Sequence, residues 1–390
     1  MTIAPSTERP AAAAVCNQRG VALLIVLVIV ALLTVTVTEF TYSVQIDMHR
    51  SRNAVHALQA QLLARSGVNL AEGFLMLDDE PTYDAYSEEW YRQLLEFCKG
   101  MKLDESMHVR CRVRDESGKL NINNTRGVRR RVESQQVTGD AVLRDAVRCL
   151  FNARGLDPTD LVERIAEYWQ QEPPQNANGE PSVIPEFTSL EDFGATFGIP
   201  ADKLHALRNV MTAQPSRLLP RININTAPAE VIAAVLNQEN VPDCPSDDVV
   251  AQIAERQSPD TEQPFRSAGD ISGVVQGGQN TDLKRRLFDV RSRLYRLEAS
   301  ALTNVDPANP THSGIGQTLS VLVSRQQDAH PRPGAQQTGP NGKPVPNWTL
   351  RPLDWQKEGG ARLFRSVPSD GNLPGSPDDE EELKDGAAPD

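Results

Sequence analysis

The longest apolar stretch of the chain is Val21–Thr38, VALLIVLVIVALLTVTVT, free of charge and proline. As a helix at 1.5 Å per residue it spans roughly 27 Å, close to the hydrocarbon core of a bilayer. No proline follows between Phe40 and Leu77. There Val44, Met48, Val55, Leu58, Leu62, Leu63, Leu70, Phe74 and Leu77 recur mostly at three- and four-residue steps. That spacing predicts an amphipathic helix continuing the apolar one, with Gly67 and Gly73 as places for a slight bend.

The period then changes to two. Met107, Val109, Cys111 and Val113 alternate with His108, Arg110, Arg112 and Arg114, the pattern of a half-buried strand. Asp115–Gly118 reads as a turn and Lys119–Asn123 as a returning strand, so the pair predicts a hairpin. From Gly139 to Phe288 the signals are helical. Candidate helices are Asp140–Ala153, Asp157–Trp169 with Asp157 as N-cap and Pro158 at the first position, a short one from Ser189, Pro200–Met211, and Asp247–Gln257. Thr226–Glu230 reads as a capping box opening a helix to about Asn237. Strand patterns resume at Leu294–Ala301 and Gln317–Ser324. They complete a sheet into which the helical part is inserted.

Beyond Gln326, proline, glycine and glutamine dominate, and the chain carries Asp378-Asp379-Glu380-Glu381-Glu382 near its end. Residues 328–390 read as a disordered acidic tail. Trp348, Trp355 and Phe364 within it fit either partner docking or stray aromatics.

Composition narrows the classes. A formal net charge of −12 over 390 residues argues against a general nucleic-acid binder. The six histidines are scattered and no catalytic or nucleotide-binding motif is present, so no catalytic residues are nominated. Of the five cysteines, Cys16, Cys98, Cys111, Cys149 and Cys244, none has zinc-ligand spacing. Without Cys16, the remaining ones allow disulfides in three pairings or free buried thiols.

The flanks of the apolar run point further. Arg9 and Arg19 precede it and Glu8 is the acid on that side. The positive-inside rule leaves the N-terminus cytoplasmic and exports the rest. No small-x-small site follows the run, as a secretory signal would require. Instead Gly20 sits directly before it, and Arg19-Gly20-Val21-Ala22-Leu23-Leu24 looks like a site cut by prepilin peptidase. Cleavage after Gly20 leaves Val21 as the new N-terminus; the rival reading is a plain single-pass anchor.

Taken with Asp115–Asn123, Arg221-Ile-Asn-Ile-Asn-Thr-Ala227 and Ser292-Arg-Leu-Tyr-Arg-Leu-Glu-Ala299, this N-terminus resembles the K-type minor pseudopilins of type II secretion over residues 19–325. The resemblance implies an α+β, pilin-like fold: a long N-terminal helix packed on an antiparallel sheet, with an all-α domain inserted into the sheet. Its divisions are 1–20 leader, 21–38 transmembrane helix, 39–138 stalk helix and first part of the head, 139–288 inserted domain, 289–327 returning strands and 328–390 tail. Pilin-like proteins carry a glutamate at the fifth mature position, and Ile25 stands there. K-type subunits lack that glutamate, so Ile25 fits them.

The implied role is to cap a periplasmic pseudopilus and help start its assembly. The partners are the I- and J-type minor pseudopilins, the major pseudopilin, the inner-membrane assembly platform and prepilin peptidase. The chain would be single-pass in the inner membrane with its bulk in the periplasm. Processing falls to Arg19, Gly20 and Val21; assembly to Val21, Leu24, Ile25 and Leu27. Membrane contact falls to Val21, Leu23, Leu24, Ile25, Leu27, Ile29, Leu32 and Leu33.

Some family members bind calcium in the head. The acidic stretch expected there reads Glu167-Tyr168-Trp169-Gln170-Gln171-Glu172, with thinned carboxylates, and no metal site is carried over. Scattered loop residues such as Asp243, Asp247 and Asp248 are the remaining calcium option. Two other rivals are a type IV pilus tip subunit and a DNA-binding helix-hairpin-helix at Ile222–Glu230. Against the latter, Leu236–Cys244 has no Gly-x-Gly and two acids where phosphate would be gripped.

Overall fold

The computed structural model describes residues 19–126, 139–171, 184–236, 247–274, 281–305, 314–327 and 348–359. The chain divides into two compact units, Met1–His56 and Ala57–Asp390. Helix α1, Arg19–Leu75, supplies the described part of the first and opens the second.

In the first unit, α1 is rich in β-branched residues, which are mediocre helix formers in water. In hydrocarbon the backbone must satisfy itself, and a helix does so. The threonines follow the same logic: Thr34, Thr36 and Thr38 each donate to the carbonyl four residues back at 2.7 Å. The hydroxyls therefore need no outside partner.

In the second unit, α1 turns a stripe of small residues inward. Ala60, Ala64, Val68, Ala71 and Leu75 are buried against the sheet. A Cβ at Gly67 would stand 3.1 Å from both Ala299 and Val109, so Gly67 sets a close helix-to-sheet approach. Helix α2, Glu89–Cys98, adds Trp90, Tyr91 and Leu94 to this core.

Among the described residues the sheet has five strands: β1 (Met101–Asp104), β2 (Met107–Asp115), β7 (Leu294–Thr303), β8 (Ile315–Gln327) and β9 (Trp348–Gly359). Their order is β1-β2-β7-β8-β9, and every pairing is antiparallel. The alternation read in β2 holds, with Val109, Cys111 and Val113 facing the core. Cys98 and Cys111 are disulfide-bonded and tie α2 to β2; Cys149 is disulfide-bonded too.

Two expectations fail for the sheet and the tail. The hairpin does not form: β3 (Leu120–Asn121) pairs in parallel with β4 (Met211–Thr212), and β2 pairs with β7. Asp115 accepts from Ser117 N at 2.7 Å and starts a 3-10 turn, Glu116–Gly118. Lys119 is pinned on Glu116 at 2.6 Å, so the chain leaves the sheet instead of folding back. The tail is also not wholly unstructured, because 348–359 forms β9 along β8. A tail-like composition hid it; the strand carries Pro352 and is mostly exposed, as edge strands tolerate. The rest of 328–390 lies outside the described residues.

The helical part comprises α3 (Gly139–Ala153), α4 (Pro158–Gln170), α5 (Leu190–Phe197), α6 (Ala201–Leu207), α7 (Ala229–Leu236), α8 (Asp247–Gln257), α9 (Ala268–Val274) and α10 (Thr281–Arg285). Asp157 caps α4 as expected, and Ser189, read as the start of a short helix, caps α5. A second parallel pair joins β5 (Ile222–Asn223) to β6 (Phe288–Asp289). The core of this part takes in Leu120, Ile122 and Val290, residues outside the 139–288 limits. Thr226 does not serve as the expected capping residue: its hydroxyl donates to Asp115, and α7 begins at Ala229.

Candidate assembly surface and buried polar junction

Of the residues assigned to processing, Arg19 and Gly20 lie in the first turn of α1, and Val21 follows. The most apolar 18-residue stretch of α1 has a mean hydropathy of 3.0, and none of it is buried within the chain. Val21, Leu24, Ile25 and Leu27, read as assembly residues, are all exposed. So are Leu23, Ile29, Leu32 and Leu33. A helix apolar on every side needs lipid or other helices around it, and this one is long enough to cross a membrane.

The second site was not foreseen. It lies where the sheet meets the helical part, and it is polar and buried. Asp115, at the end of β2, accepts from Thr226 Oγ1 at 2.5 Å and from Ser292 Oγ. Asn223 Nδ2 reaches Ser292 Oγ at 2.6 Å and the Asp84 carbonyl at 3.0 Å. Asp84 Oδ2 accepts from Ser292 N at 2.7 Å, and Tyr295 OH donates to Asp84 Oδ1 at 2.9 Å. Strand β2, the loop after α1, β5 and the lead into β7 thus converge on two carboxylates. Burial holds Asp115 above the ordinary carboxyl range, and the hydrogen bonds from Ser292, Thr226 and Ser117 offset only part of that rise. A cavity of about 10 Å³, room for one water, sits between Tyr86, Trp90, Asp115 and Tyr295.

Next to it, Arg325 on β8 is 3% exposed. It pairs with Asp78 at 2.7 Å and with Asp84. Its guanidinium lies 4.4 Å from the Trp348 ring centroid and 5.0 Å from that of Tyr295. Glu116 forms a separate group with Lys119 at 2.6 Å and Arg296 at 3.4 Å. Burial alone would raise Glu116, but these cations outweigh it and hold the carboxyl at about 2. Buried pairs of this kind are costly to break singly, since the survivor is left uncompensated.

Within the helical part the two asparagine motifs act alike. Asn123 exchanges two hydrogen bonds with the Phe187 backbone, both 2.9 Å. Asn225 does the same with Phe265, at 2.8 and 2.9 Å. Each phenylalanine opens the same pattern, Phe187-Thr-Ser-Leu-Glu-Asp192 and Phe265-Arg-Ser-Ala-Gly-Asp270. In each, the aspartate accepts from the second backbone N–H, at Thr188 and Arg266. The helical part is therefore two copies of one strand–helices–strand unit, β3 to β4 and β5 to β6. The repeated Leu/Ile-Asn-Ile-Asn was visible in the sequence and was the signal for it.

Among the described residues, no group of three or more His, Cys, Asp or Glu is placed to hold a metal. Asp243 and the side chains of Asp247 and Asp248 lie outside the described set, as does most of the Leu236–Cys244 loop. Glu167 and Gln170 end α4, where Trp169 donates to Thr125 Oγ1 at 3.0 Å and is part of the core.

No family model matches the chain. Type II secretion system protein K of Pseudomonas aeruginosa is 27% identical over 375 residues, covering 88% of this chain and 98% of that protein. A chain of the solved GspK-GspI-GspJ complex from the type 2 secretion system of enterotoxigenic Escherichia coli shares the fold. Its TM-score is 0.53 at 14% identity, covering 79% of this chain and 99% of that one. The chain is similar to the K-type minor pseudopilins of type II secretion. The Pseudomonas aeruginosa relative is matched almost end to end. The antiparallel sheet with an inserted helical part is the pilin-like α+β fold read from the sequence.

Proposed function

We propose that this chain is a non-enzymatic minor pseudopilin that caps the tip of a periplasmic pseudopilus, helps initiate its assembly and so supports protein export across the outer membrane. The observation that carries the reading is the likeness to protein K over 98% of that protein's length, joined to an apolar helix that nothing among the described residues buries. Prepilin peptidase would cut after Gly20, and Val21, Leu24, Ile25 and Leu27 would pack against helices of the other minor pseudopilins. The described head would then stand in the periplasm, held by a single span of the inner membrane.

Ile25 supports the tip position by a physical argument. A glutamate at that depth is tolerated when it pairs with a neighbour's amine, and is costly alone. A subunit with isoleucine there needs no such neighbour. The I- and J-type minor pseudopilins are the expected direct partners; the major pseudopilin and the assembly platform follow from that place.

Co-expression of the full chain with the I- and J-type subunits of its own secretion system is the test. The expected result is a ternary complex isolated from detergent-solubilised membranes, and loss of secretion when this chain is deleted. Purification of the chain without either partner, with secretion intact in the deletion strain, would reject the reading.

A further inference from the structure

The two edges of the sheet, β1 and β9, differ in what they protect. Strand β1 is four residues long, fully exposed, and irregular between Lys102 and Asp104. So short and charged an edge offers little to pair with. Strand β8, next to the other edge, is the opposite. It runs for 13 residues, and its buried segment Thr318-Leu-Ser-Val-Leu-Val-Ser324 carries no charge, proline or glycine. Left uncovered, such a segment has the composition of a self-pairing strand.

Strand β9 covers it. Arg325 N donates to the Arg293 carbonyl at 2.8 Å. The alternation of an antiparallel strand then turns the N–H and C=O groups of Ser320, Leu322 and Ser324 away from β7 and toward β9. They stand opposite Gln356, Asp354 and Arg351. Side chains seat the strand as well. Trp348 Nε1 donates to the Asp78 carbonyl at 2.8 Å, its ring lies over Arg325, and Leu350 packs on the core. From α1, Arg65 lies 5.5 Å from the Trp355 ring centroid, and Gln61 Oε1 accepts from Lys357 Nζ at 2.6 Å.

The outer edge of β9 is unlike the edge it covers. Pro352 stands opposite Val323, whose own N–H belongs to the set facing β7. The proline nitrogen therefore points outward, where it costs no bond to β8 and removes a donor from the open edge. Beside it the register shifts, and Leu353 has no opposite residue. Arg351, Asp354 and Lys357 add exposed charge along the strand.

We propose that β9 is an edge guard: it closes the β8 edge against pairing with β8 of a second copy of this chain, and turns outward an edge unsuited to pairing. The second copy is the occupant because antiparallel pairing of a strand with its own equivalent about a twofold axis is self-complementary. The uncharged segment Thr318–Ser324 meets no like charge in doing so. The guard is independent of what the head assembles with.

The test is the mass of the full chain in detergent by sedimentation, with hydrogen exchange on the same samples. Arg351→Pro with Gln356→Pro removes ladder donors from exposed positions of β9. The unmodified chain should remain a single copy as concentration rises. In the variant the β9 amides should lose protection while the β2–β7 amides keep theirs. Its protein mass should double with concentration, and the Ser320 and Leu322 amides should regain protection in step. Adding a peptide of residues 346–360 should return it to one copy. A variant with β9 released that stays single overturns the proposal, as does a dimer that the peptide leaves intact, or an unmodified chain that already doubles. Loss of β2–β7 protection together with β9 would make β9 part of the core rather than a guard. Protection of β9 that survives both prolines would contradict its ladder to β8. Either result overturns the proposal too.

Discussion

Helix α1 solves two different problems with one backbone. Over residues 21–38 it carries large apolar side chains on all sides, and none is buried within the chain. Over residues 60–75 it buries Ala60, Ala64, Ala71 and a glycine-lined contact against the sheet, leaving Leu62 and Leu70 outward. Where the surroundings are lipid or partner helices, bulk outward serves. Where the neighbour is a sheet, small residues bring the backbone close. Hydropathy distinguishes the two segments, but residue size explains why only the second packs internally.

That contrast can be broken at either end, and the largest effect is expected at the membrane end. Leu24→Asp or Leu27→Asp puts a charge in the N-terminal half of the span, at a cost of up to about 2.5–3.5 kcal/mol, the value insertion scales give for the helix centre. Membrane assembly and secretion should fail, while the thermal unfolding of the head in detergent stays where it was. In the head, the Cys98–Cys111 tie should come next. Its 13-residue separation predicts a loss of about 3 kcal/mol for the Cys98→Ser, Cys111→Ser double variant, read by denaturant unfolding. Gly67→Val should cost about 1–3 kcal/mol by overpacking against Ala299 and Val109, read in the same way. Leu62→Ala, on the outward face of the same helix, should change the unfolding midpoint by less than about 0.5 kcal/mol.

The buried ions add a pH prediction. Glu116 is held down at about 2 by Lys119 and Arg296. A depressed carboxyl contributes stability that is present above its unfolded value near 4.5 and lost as pH falls through about 2. Acid unfolding of the head should therefore steepen below about pH 4.5. Glu116→Gln should remove that steepening at the expense of stability at neutral pH.

The apolar helix and its amphipathic continuation, the strand β2 and the helices α4 and α5 were legible because each rests on local periodicity or a cap. The failures were non-local. Lys119–Asn123 has strand character, yet its partner is Met211–Thr212, some ninety residues on, and no local pattern announces a parallel pairing of two residues. Strand β9 hid inside a proline- and glycine-rich segment. The polar junction was unreadable for another reason: Asp78, Asp84, Glu88 and Arg325 look like surface charges until the fold buries them together. The Asn121–Asn123 and Asn223–Asn225 motifs were seen, but their equivalence appeared only when both were found gripping a phenylalanine backbone.

The central claim is that this is a processed, membrane-anchored pilin-like subunit, and the most direct measurement is its N-terminal mass. The chain would be purified from membranes of cells with and without prepilin peptidase. The account predicts a chain beginning at Val21 only when the peptidase is present. A chain that keeps residues 1–20 in both strains would contradict it and leave a plain single-pass anchor.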